Sequence, residues 1–369
     1  MARTQCTPNP AVGAVLVDAD GHILGMGHTQ RPGGDHAEIM ALRDATAKGH
    51  ETKGATIYVS LEPCSHHGRT GPCTDALIQA GIGKVVASVM DPNPLVAGQG
   101  FEKLRAAGIE VEVGNGAVES QELNIGFFHR MVHKKPWVRL KIAASLDGNT
   151  ALENGKSQWI TSEAAREDGH KWRSRSCAIL TGIGTILDDD PRLNVRLKEG
   201  GGNPRQPSLI VVDSMLQTPI EAKVFDTDRS VLIYTTTEDV DKAAALKSAG
   251  ATVIRLAANS ASNFNKVDLA LMMEDLGQRE INELHVEAGH KLNGSLLKAE
   301  LVDEMIVYMA PMMMGAGLPM AHIGSFSELT QIKRFDFVSA NLIGPDLRVI
   351  ARLQNRDWFG QTDLSSASL

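Results

Sequence analysis

The sequence predicts an α/β protein built from two domains. Short apolar segments of strand length alternate with segments of helical periodicity, and polar loops follow the predicted strands. This alternation is typical of layered folds with a largely parallel or mixed sheet. The chain has 369 residues, 43% of them apolar, so it can form two or three domains that each bury a sizeable core.

The first domain opens with a predicted β-hairpin whose turn spans residues 18–21. Gly21 suits this turn because it can adopt the positive φ that a tight hairpin requires. Gly49 and Gly81 end two of the predicted helices. Strands are predicted at 12–17, 22–28, 55–61, 84–89 and 109–113, and helices at 36–48, 74–80, 101–107 and 119–131.

A basic segment that ends in proline, residues 133–136, marks the predicted domain boundary. The sequence therefore predicts a first domain at 1–132, a second at 137–355, and a polar, Ser-rich end at 356–369 that we expect to fray. In the second domain, strands are predicted at 137–144, 178–181, 209–212, 231–234, 252–256, 284–286, 305–309 and 347–353, and helices at 162–173, 267–276 and 294–299.

Metal-ligand residue types cluster in the first domain. His36 and Glu38 lie in the first turn of a predicted helix, and Cys64 and Cys73 each follow a proline. One His and two Cys make a three-ligand zinc site with a fourth position open for water, and that open position is what distinguishes a catalytic zinc from a structural one. Glu38 would then carry protons between this water and a leaving group. The pattern is that of zinc deaminases, although eight residues separate the cysteines where two are usual.

Two other interpretations of this cluster remain open. Cys64 and Cys73 could be buried thiols in a protein without a metal, or His66 or His67 could supply a fourth ligand and close a structural zinc site. We favour catalysis because Glu38 would have no role in a structural site.

The composition argues against several classes of protein. The net charge is −7 and there is no long basic run, which argues against nucleic acid as a partner. Two of the four cysteines are assigned to the metal, so no disulfide framework remains. We find neither a signal-peptide pattern nor an apolar run of membrane-spanning length. We therefore expect a cytoplasmic protein with no nucleic-acid or membrane partner.

Polar residues near the ends of predicted strands are candidates for ligand contact, because open α/β sheets bind ligands there. In the first domain these candidates, which could also be turn-forming or solvated residues, are Asn9, His28, Arg69 and Asn93. In the second domain, residues 181–184 lack the third glycine of a Rossmann motif, and Leu187 stands in its place. The strand–turn–helix at 285–294 could bind a pyrophosphate or be an ordinary connection.

Several segments resemble one known family, the bifunctional deaminase–reductases of riboflavin biosynthesis. Residues 61–70 resemble the deaminase half, and residues 141–148, 157–161, 181–196 and 286–294 resemble the reductase half, in the same domain order. The resemblance covers about residues 7–353. It implies a three-layer α/β/α domain similar to cytidine deaminase, followed by an α/β domain similar to dihydrofolate reductase.

The resemblance also implies two cofactors, zinc and NADPH, and a set of site residues. Asn9 would face the pyrimidine, and Arg69 and Asn93 the ribose phosphate. Lys141 and Asp189 would be catalytic in the reductase. The implied NADPH contacts are Ala143, Trp159, Thr185, Asp189, Ser214, Gly289, His290, Lys291, Leu292, Asn293, Gly294 and Ser295. The implied substrate contacts in the second domain are Ser157, Arg173, Leu193, Arg196 and Glu287. The two arginines suit phosphate, which a guanidinium binds bidentately, unless they are solvated surface residues.

The expected function is therefore twofold: deamination of a phosphorylated diaminopyrimidinone ribosylamine, then reduction of its ribosyl group to ribityl with NADPH. One rival is a stand-alone nucleoside or guanine-type deaminase with a regulatory second domain, and another is a nucleic-acid-binding zinc module. The second-domain motifs count against the first rival, and the net charge counts against the second. We also expect a homo-oligomer.

A further expectation concerns the start of the chain. Family members usually carry a covering helix before the first strand, and residues 1–7 are too short to form one. We expect DNA upstream of Met1 to encode that helix.

Overall fold

The computed structural model describes residues 2–66, 71–94, 96–197, 204–258 and 265–358. The chain divides into two compact units, one formed by Met1–Lys134 together with the end of the chain from Asp357, and the other spanning Lys135–Arg356. Each unit combines helices with a β-sheet, so the predicted α/β class is confirmed. We expected residues 356–369 to fray, and of these, residues 359–369 lie outside the described part of the chain.

The first unit contains one five-stranded mixed sheet. Its strands are β1 Gly13–Val17, β2 Ile23–His28, β3 Thr56–Val59, β4 Lys84–Ala87 and β5 Glu110–Val113. They lie in the order β2-β1-β3-β4-β5, with β1 antiparallel to both neighbours and the other pairs parallel. Asp18 closes the hairpin turn, because its Oδ1 accepts the N–H groups of Asp20 and His22. Gly21 has the expected positive φ, 84°.

Three helices cover one face of this sheet. The helices of the unit are α1 Ala37–Ala47, α2 Cys73–Gln79, α3 Gln99–Ala106, α4 Ala117–Leu123 and α5 Ile125–His133. Side chains of α1, α2 and α3 share a core with the strands, formed by residues such as Ala41, Leu77, Phe101, Leu104, Leu16, Ile57 and Val85. Helix α1 approaches β2 closely because Gly27 has no side chain: a Cβ there would lie 2.2 Å from the carbonyl oxygen of Ala37.

The continuous helix predicted at 119–131 is wrong. The segment breaks at Asn124 into α4 and α5. The Asn124 side chain accepts the N–H of Ala11 at 2.7 Å and donates to the carbonyl of Ala11 at 3.0 Å. The residue that interrupts the helix therefore also holds the segment before β1. Beyond the break, Phe127 and Phe128 pack against Leu61 and Val89, which follow β3 and β4.

The second unit contains a nine-stranded sheet and a small two-stranded sheet. Its strands are β6 Trp137–Ser145, β7 Asn149–Leu152, β8 Ala178–Gly182, β9 Ser208–Val212, β10 Val231–Thr235, β11 Ala251–Arg255, β12 Glu283–Val286, β13 Glu304–Ala310, β14 Gly317–Pro319, β15 Phe335–Ile343 and β16 Asp346–Leu353. The large sheet has the order β11-β10-β9-β8-β12-β6-β13-β16-β15, parallel as far as β13 and antiparallel beyond it, while β7 pairs with β14.

The two faces of the large sheet differ in chemistry. The helices of this unit are α6 Glu163–Arg175, α7 Ile183–Asp189, α8 Val240–Ser248, α9 Leu269–Gln278 and α10 His290–Lys298. On one face, apolar residues of β6, β8 and β12 pack against α9. On the other face, buried Arg139 forms ion pairs of 2.7 Å with Glu283 and 2.5 Å with Glu304, and Trp172 of α6 lies over its guanidinium. Helix α6 thus covers a charged face, on which Lys141 and Glu287 also lie by strand alternation.

Five elements of the second unit were not predicted: β7, β14, β15, α7 and α8. Helix α7 has seven residues and begins where β8 ends, so it shows no separate pattern. Helix α8 buries Leu246 alone among its described residues, and its apolar stripe is correspondingly weak. Strand β15 lies at the sheet edge with most side chains exposed, and an irregularity between Phe337 and Ser339 breaks its alternation.

In the described part of the chain, every helix is too short or too polar to span a membrane.

Candidate active sites

The predicted metal ligands converge in the first unit. His36 is the N-cap residue of α1, Cys64 lies in the loop after β3, and Cys73 is the first residue of α2. The Nδ1 atom of His36 lies 3.3 Å from Sγ of Cys73 and 3.5 Å from Sγ of Cys64, and the backbone N–H of Cys73 donates to Cys64 at 3.3 Å. Three segments that are distant in sequence therefore bring one imidazole nitrogen and two sulfurs together.

This donor set fits zinc. An imidazole with two thiolates is one of the combinations that bind Zn²⁺ in catalytic sites. Within the described residues, the ligand atoms that lie within 4.8 Å of one another at this cluster belong to His36, Cys64 and Cys73, without His66. His67 lies outside the described residues. Three protein ligands leave room for the water molecule that catalysis needs.

The charges of the cluster favour a thiolate at Cys64 and proton transfer by Glu38. The hydrogen bond from Cys73 lowers the pKa of Cys64 to about 4, and the same contact, with burial, raises the pKa of Cys73. The hydrogen bond with Cys64 raises the pKa of His36. Glu38 is only 4% exposed, and its burial raises its pKa to about 7. A carboxyl group with a pKa near neutrality can both accept and donate a proton at physiological pH, as a general acid–base must.

The other candidates in the first unit lie in loops or at the end of a strand. The N–H of Asn93 donates to Oδ1 of Asp91 at 2.8 Å, and the N–H of Asn9 donates to the carbonyl of Cys6 at 2.9 Å. His28 is the last residue of β2, and its imidazole contacts the side chain of Gln30, in the loop that follows, at 3.2 Å. Arg69 lies outside the described residues.

The second unit contains a cavity of about 260 Å³ beside α6. Its lining residues are Lys141, Trp159, Arg166, Gly169, His170, Arg173, Arg196 and Glu287. Lys141 and the three arginines give the cavity four positively charged side chains. Among the described lining residues, Glu287 is the only carboxylate. The cavity is therefore suited to an anionic ligand.

Glu287 organises the charges at the base of this cavity. It accepts two hydrogen bonds from the guanidinium of Arg173, one of them 2.8 Å long, and lies 3.7 Å from Nζ of Lys141. Burial opposes the ionised form, yet the charges of Arg173 and Lys141 hold the pKa of Glu287 well below its ordinary value. Burial lowers the pKa of Lys141, although Glu287 offsets part of this effect.

His170 is the neutral member of the same cavity. Its Nδ1 accepts the backbone N–H of Arg196 at 3.2 Å, so the other ring nitrogen carries the hydrogen. Burial, together with the charges of Arg173 and Arg196, lowers the pKa of His170 to about 4.

Comparison with known proteins assigns both units to one family. The cytidine and deoxycytidylate deaminase zinc-binding region matches residues 1–89, and the RibD C-terminal domain matches residues 136–349. The riboflavin biosynthesis protein RibD of Escherichia coli is 44% identical over 350 residues, which are 92% of this chain and 92% of that protein. The chain belongs to the RibD family.

Further relatives agree. RibD of Aquifex aeolicus is 42% identical over 89% of this chain and 88% of its own. The structure of Acinetobacter baumannii RibD, form 1, matches with a TM-score of 0.85 at 36% identity, over 95% and 94% of the two chains. A Thermotoga maritima diaminohydroxyphosphoribosylaminopyrimidine deaminase/5-amino-6-(5-phosphoribosylamino)uracil reductase matches with a TM-score of 0.82 at 34% identity, over 95% and 94%.

Membership of the RibD family confirms the predicted architecture, a cytidine-deaminase-like domain followed by a dihydrofolate-reductase-like domain. The chain is a bifunctional deaminase and reductase of riboflavin biosynthesis. Its cofactors are those expected, zinc and NADPH. The rival interpretation of a stand-alone deaminase with a regulatory second domain is therefore wrong.

The RibD reductase contacts implied by the resemblance follow the ends of adjacent parallel strands. Ala143 lies on β6, Thr185 and Asp189 follow β8, Ser214 follows β9, and Gly289 follows β12. Carboxyl ends of parallel strands meet at one edge of a sheet, where open α/β folds bind ligands. The first turn of α10 offers backbone N–H groups there, which suits the pyrophosphate of a dinucleotide.

Some of these residues have other partners. Nδ2 of Asn293 donates to the carbonyl of Met320 at 2.9 Å, and Gly294 packs on the backbone of His322. Ser214 accepts the N–H of Val267 through Oγ at 3.1 Å. The side chain of Leu193 lies in the core, so a ligand would meet its backbone. Ser157 is half-buried and precedes Gln158, whose amide donates to Asp189 at 3.3 Å.

Three cavity residues were missed by the sequence analysis: Arg166, Gly169 and His170. They stand seven, four and three positions before Arg173 on α6, so all four share one face of the helix. The helical spacing could have identified these three residues, but only if Arg173 were already known to face a ligand.

Proposed function

We propose that the first unit removes the 2-amino group of the diaminopyrimidinone ribosylamine phosphate by hydrolysis, with zinc held by His36, Cys64 and Cys73. Bound zinc would acidify a water molecule so that it attacks at neutral pH. The observation that carries the proposal is the buried carboxyl group of Glu38 beside a three-ligand cluster.

Glu38 would move protons twice in this reaction. Water adds to the ring carbon and gives one proton to the ring nitrogen. The hydroxyl group that forms then gives its remaining proton to the amino group, the C–N bond breaks, and ammonia leaves a ring carbonyl. Glu38 lies within hydrogen-bonding reach of Cys73 and is nearly excluded from solvent, so it can retain a proton between the two transfers. Asn9 would contact the pyrimidine, and Arg69 and Asn93 would contact the ribose phosphate.

We propose that the cavity of the second unit is where the ribosyl group is reduced. NADPH supplies the hydride when bound. As hydride adds to C1 of the sugar, the bond from C1 to the ring oxygen breaks, and that oxygen needs a proton. Lys141 is the proposed acid, since it lines the cavity with its ammonium 3.7 Å from the carboxylate of Glu287. Asp189 and the first turn of α10 would contact NADPH.

The substrate phosphate would be bound mainly by Arg196 and Arg166. Arg173 directs its guanidinium to Glu287 and to the carbonyl of Asn194, 2.9 Å away. Within the described residues, Arg166 and Arg196 have no carboxylate partner, and Arg166 stacks on Trp159 at 4.6 Å. We propose that Arg173 keeps Glu287 and Lys141 in place, with Ser157 and Leu193 contributing to the substrate pocket.

A two-step assay tests this assignment. The full chain with substrate and zinc but without NADPH should release ammonia and stop at the deaminated product. Addition of NADPH should then cause oxidation of NADPH equal in amount to the ammonia released. Oxidation of NADPH by substrate that has not been deaminated would contradict the assigned order of the two reactions.

We further propose that the chain forms a homo-oligomer through β15 and that it works in the cytoplasm without a nucleic-acid or membrane partner. Phe337 and Leu342 are 79% and 74% exposed on this edge strand, which offers both apolar surface and unpaired backbone groups. Light scattering after gel filtration tests the first part: Phe337→Lys with Leu342→Lys should reduce the assembly to a monomer. An unchanged mass would exclude β15 as the interface.

A further inference from the structure

Glu62 holds the loop that bears Asn93 against the segment that bears Cys64. It lies two positions before Cys64 and is 4% exposed. One carboxylate oxygen accepts the N–H of Asp91 at 3.1 Å and that of Gly98 at 2.9 Å, and the other accepts the N–H of Gly100 at 2.8 Å. Its own N–H donates to the carbonyl of Val89 at 3.0 Å.

These contacts satisfy the start of α3. Gly98 is the N-cap residue of that helix and Gly100 lies in its first turn. Free N–H groups at a helix start attract anions, and here a carboxylate from about 38 positions earlier in the chain takes that place. The N–H groups at this helix start are therefore occupied by the protein itself and are not left for the substrate phosphate.

The start of α3 packs closely against the segment that bears Glu62. A Cβ at Gly100 would lie 2.1 Å from the carbonyl oxygen of Pro63, the residue between Glu62 and Cys64. Cys64 in turn accepts the N–H of Thr74 through its carbonyl at 3.2 Å. The start of α3 thus rests directly on the backbone that carries a metal ligand.

A short relay continues from Glu62 to Asn93. Glu62 accepts the N–H of Asp91, and Oδ1 of Asp91 accepts the N–H of Asn93 at 2.8 Å. Asp91 is buried, so both links are shielded from water, which would compete for the same groups.

We propose that Glu62 is a positioning residue of the deaminase that fixes Asn93 relative to the metal ligands. This inference rests on the proposed contact between Asn93 and the substrate. The hydrogen bonds of the Glu62 carboxylate are to backbone N–H groups, so Glu62 would act through the backbone of the loop. Loss of its negative charge should therefore weaken substrate binding more than the chemical step.

The experiment compares Glu62→Gln, Asn93→Ala and the double variant in the full chain. Glutamine has the shape of glutamate, but one of the two carboxylate oxygens is replaced by an NH2 group. That NH2 group would face the backbone N–H groups that the oxygen accepts, so those hydrogen bonds would be lost. Because hydrogen bonds to a charged group are stronger than those to a neutral one, KM of the deaminase should rise about tenfold or more. The kcat value should fall less than KM rises, and the zinc content and the KM for NADPH should not change.

The double variant decides whether Glu62 acts through Asn93. If it does, the double variant should have nearly the KM of Asn93→Ala alone, because the two changes remove one interaction. Additive effects on KM, or a lower melting temperature with KM and kcat unchanged, would overturn the proposal. If Asn93→Ala leaves KM unchanged, the proposed substrate contact is wrong, and a raised KM in Glu62→Gln would then have to come from another part of the loop.

Two further variants keep the test valid if Glu62→Gln folds poorly. Asp91→Ala removes the acceptor for Asn93 and leaves Glu62 intact, so it should raise KM in the same way. Asp268→Asn is a matched control, because Asp268 caps α9 in the second unit. It should lower thermal stability slightly without changing the KM of the deaminase. An unchanged KM in Asp91→Ala would also count against the relay.

Discussion

At the scale of single residues, the deaminase site separates metal binding from proton transfer. His36, Cys64 and Cys73 present the three ligand atoms, and Glu38 is buried beside them as a carboxyl that is not a ligand. The two functions should therefore respond to different substitutions.

Glu38→Gln should retain zinc and lose deamination. The amide has the shape of the carboxyl group but cannot accept and return a proton, and general acid–base groups typically contribute ~10²–10⁴-fold to the rate. Ammonia release and zinc content measure the two effects separately, with Cys73→Ser as the control that should lose zinc. A Glu38→Gln enzyme that kept more than about a tenth of the rate would contradict the proton-carrying role.

The pH dependence of the reductase should report Lys141. If its ammonium is the acid, the rate is highest while Lys141 is protonated and falls as pH rises through its pKa. Burial lowers that pKa, so the fall should come at a lower pH than the ordinary lysine value of ~10.4. The observable is kcat for NADPH oxidation against pH with deaminated substrate.

Lys141→Arg provides the comparison. It keeps a positive charge beside Glu287 but stays protonated over the accessible range. We expect a slower enzyme with no alkaline fall. A Lys141→Arg profile that retained the fall would assign it to another group.

The residues that the sequence could identify are those whose chemistry is concentrated in a short pattern. The proposed ligands and Glu38 could be singled out because His36 and Glu38 stand at the start of one helix and Cys64 and Cys73 each follow a proline. Their roles stay predictions. Glu62 could not, because its partners lie 29 to 38 positions away and are backbone groups. Backbone donors have no sequence signature, so only the fold reveals them.

At the scale of elements, α10 depends on a glycine. Gly294 faces His322, and a Cβ there would lie 2.1 Å from the carbonyl oxygen of His322. A Cβ added at Gly184 in α7 would have no heavy atom of the described residues within 4 Å, apart from its own chain neighbours and helix backbone. The two glycines therefore offer a matched pair of helical substitutions.

Gly294→Ala should destabilise the second unit, whereas Gly184→Ala should not. Overpacking of a tight contact typically costs ~1–3 kcal/mol, while alanine in an open helical position gains ~0.5–1 kcal/mol. Thermal unfolding followed by circular dichroism measures both. Equal melting temperatures for the two variants would mean that the segment at His322 moves aside freely.

The boundaries of elements could be predicted where burial produces a regular pattern of apolar residues along the sequence. They were missed where a single tertiary contact determines the end of an element. The strands of the sheet centre are rich in apolar residues, although β6 and β12 also carry charged ones, and all were found. At the break, the Asn124 side chain forms hydrogen bonds with the backbone of Ala11, which lies 113 positions away. The local sequence therefore does not indicate the break. Strand order was equally inaccessible, since β6 lies between β12 and β13 although it precedes both in the chain.

At the scale of the whole molecule, each unit contains its own candidate site, so the two activities should be separable. Removal of zinc by a chelator should abolish ammonia release and leave the reduction of deaminated substrate intact. Lys141→Ala or Asp189→Asn should do the reverse. Loss of reductase activity on chelation, with an unchanged circular dichroism spectrum, would show that the sites depend on each other.

The exposed indole of Trp159 gives this enzyme a built-in optical reporter. Of the four tryptophans, Trp159, at the cavity, is 70% exposed, whereas Trp137 is fully buried and Trp172 and Trp358 are half-buried. An indole in water emits at longer wavelength than one in an apolar environment, so the red edge of the emission spectrum should come largely from Trp159. Titration with oxidised cofactor, which does not react, should quench this component or shift it to the blue. Trp159→Phe should remove the red component, and a titration signal of unchanged size in that variant would mean that the ligand binds away from this indole.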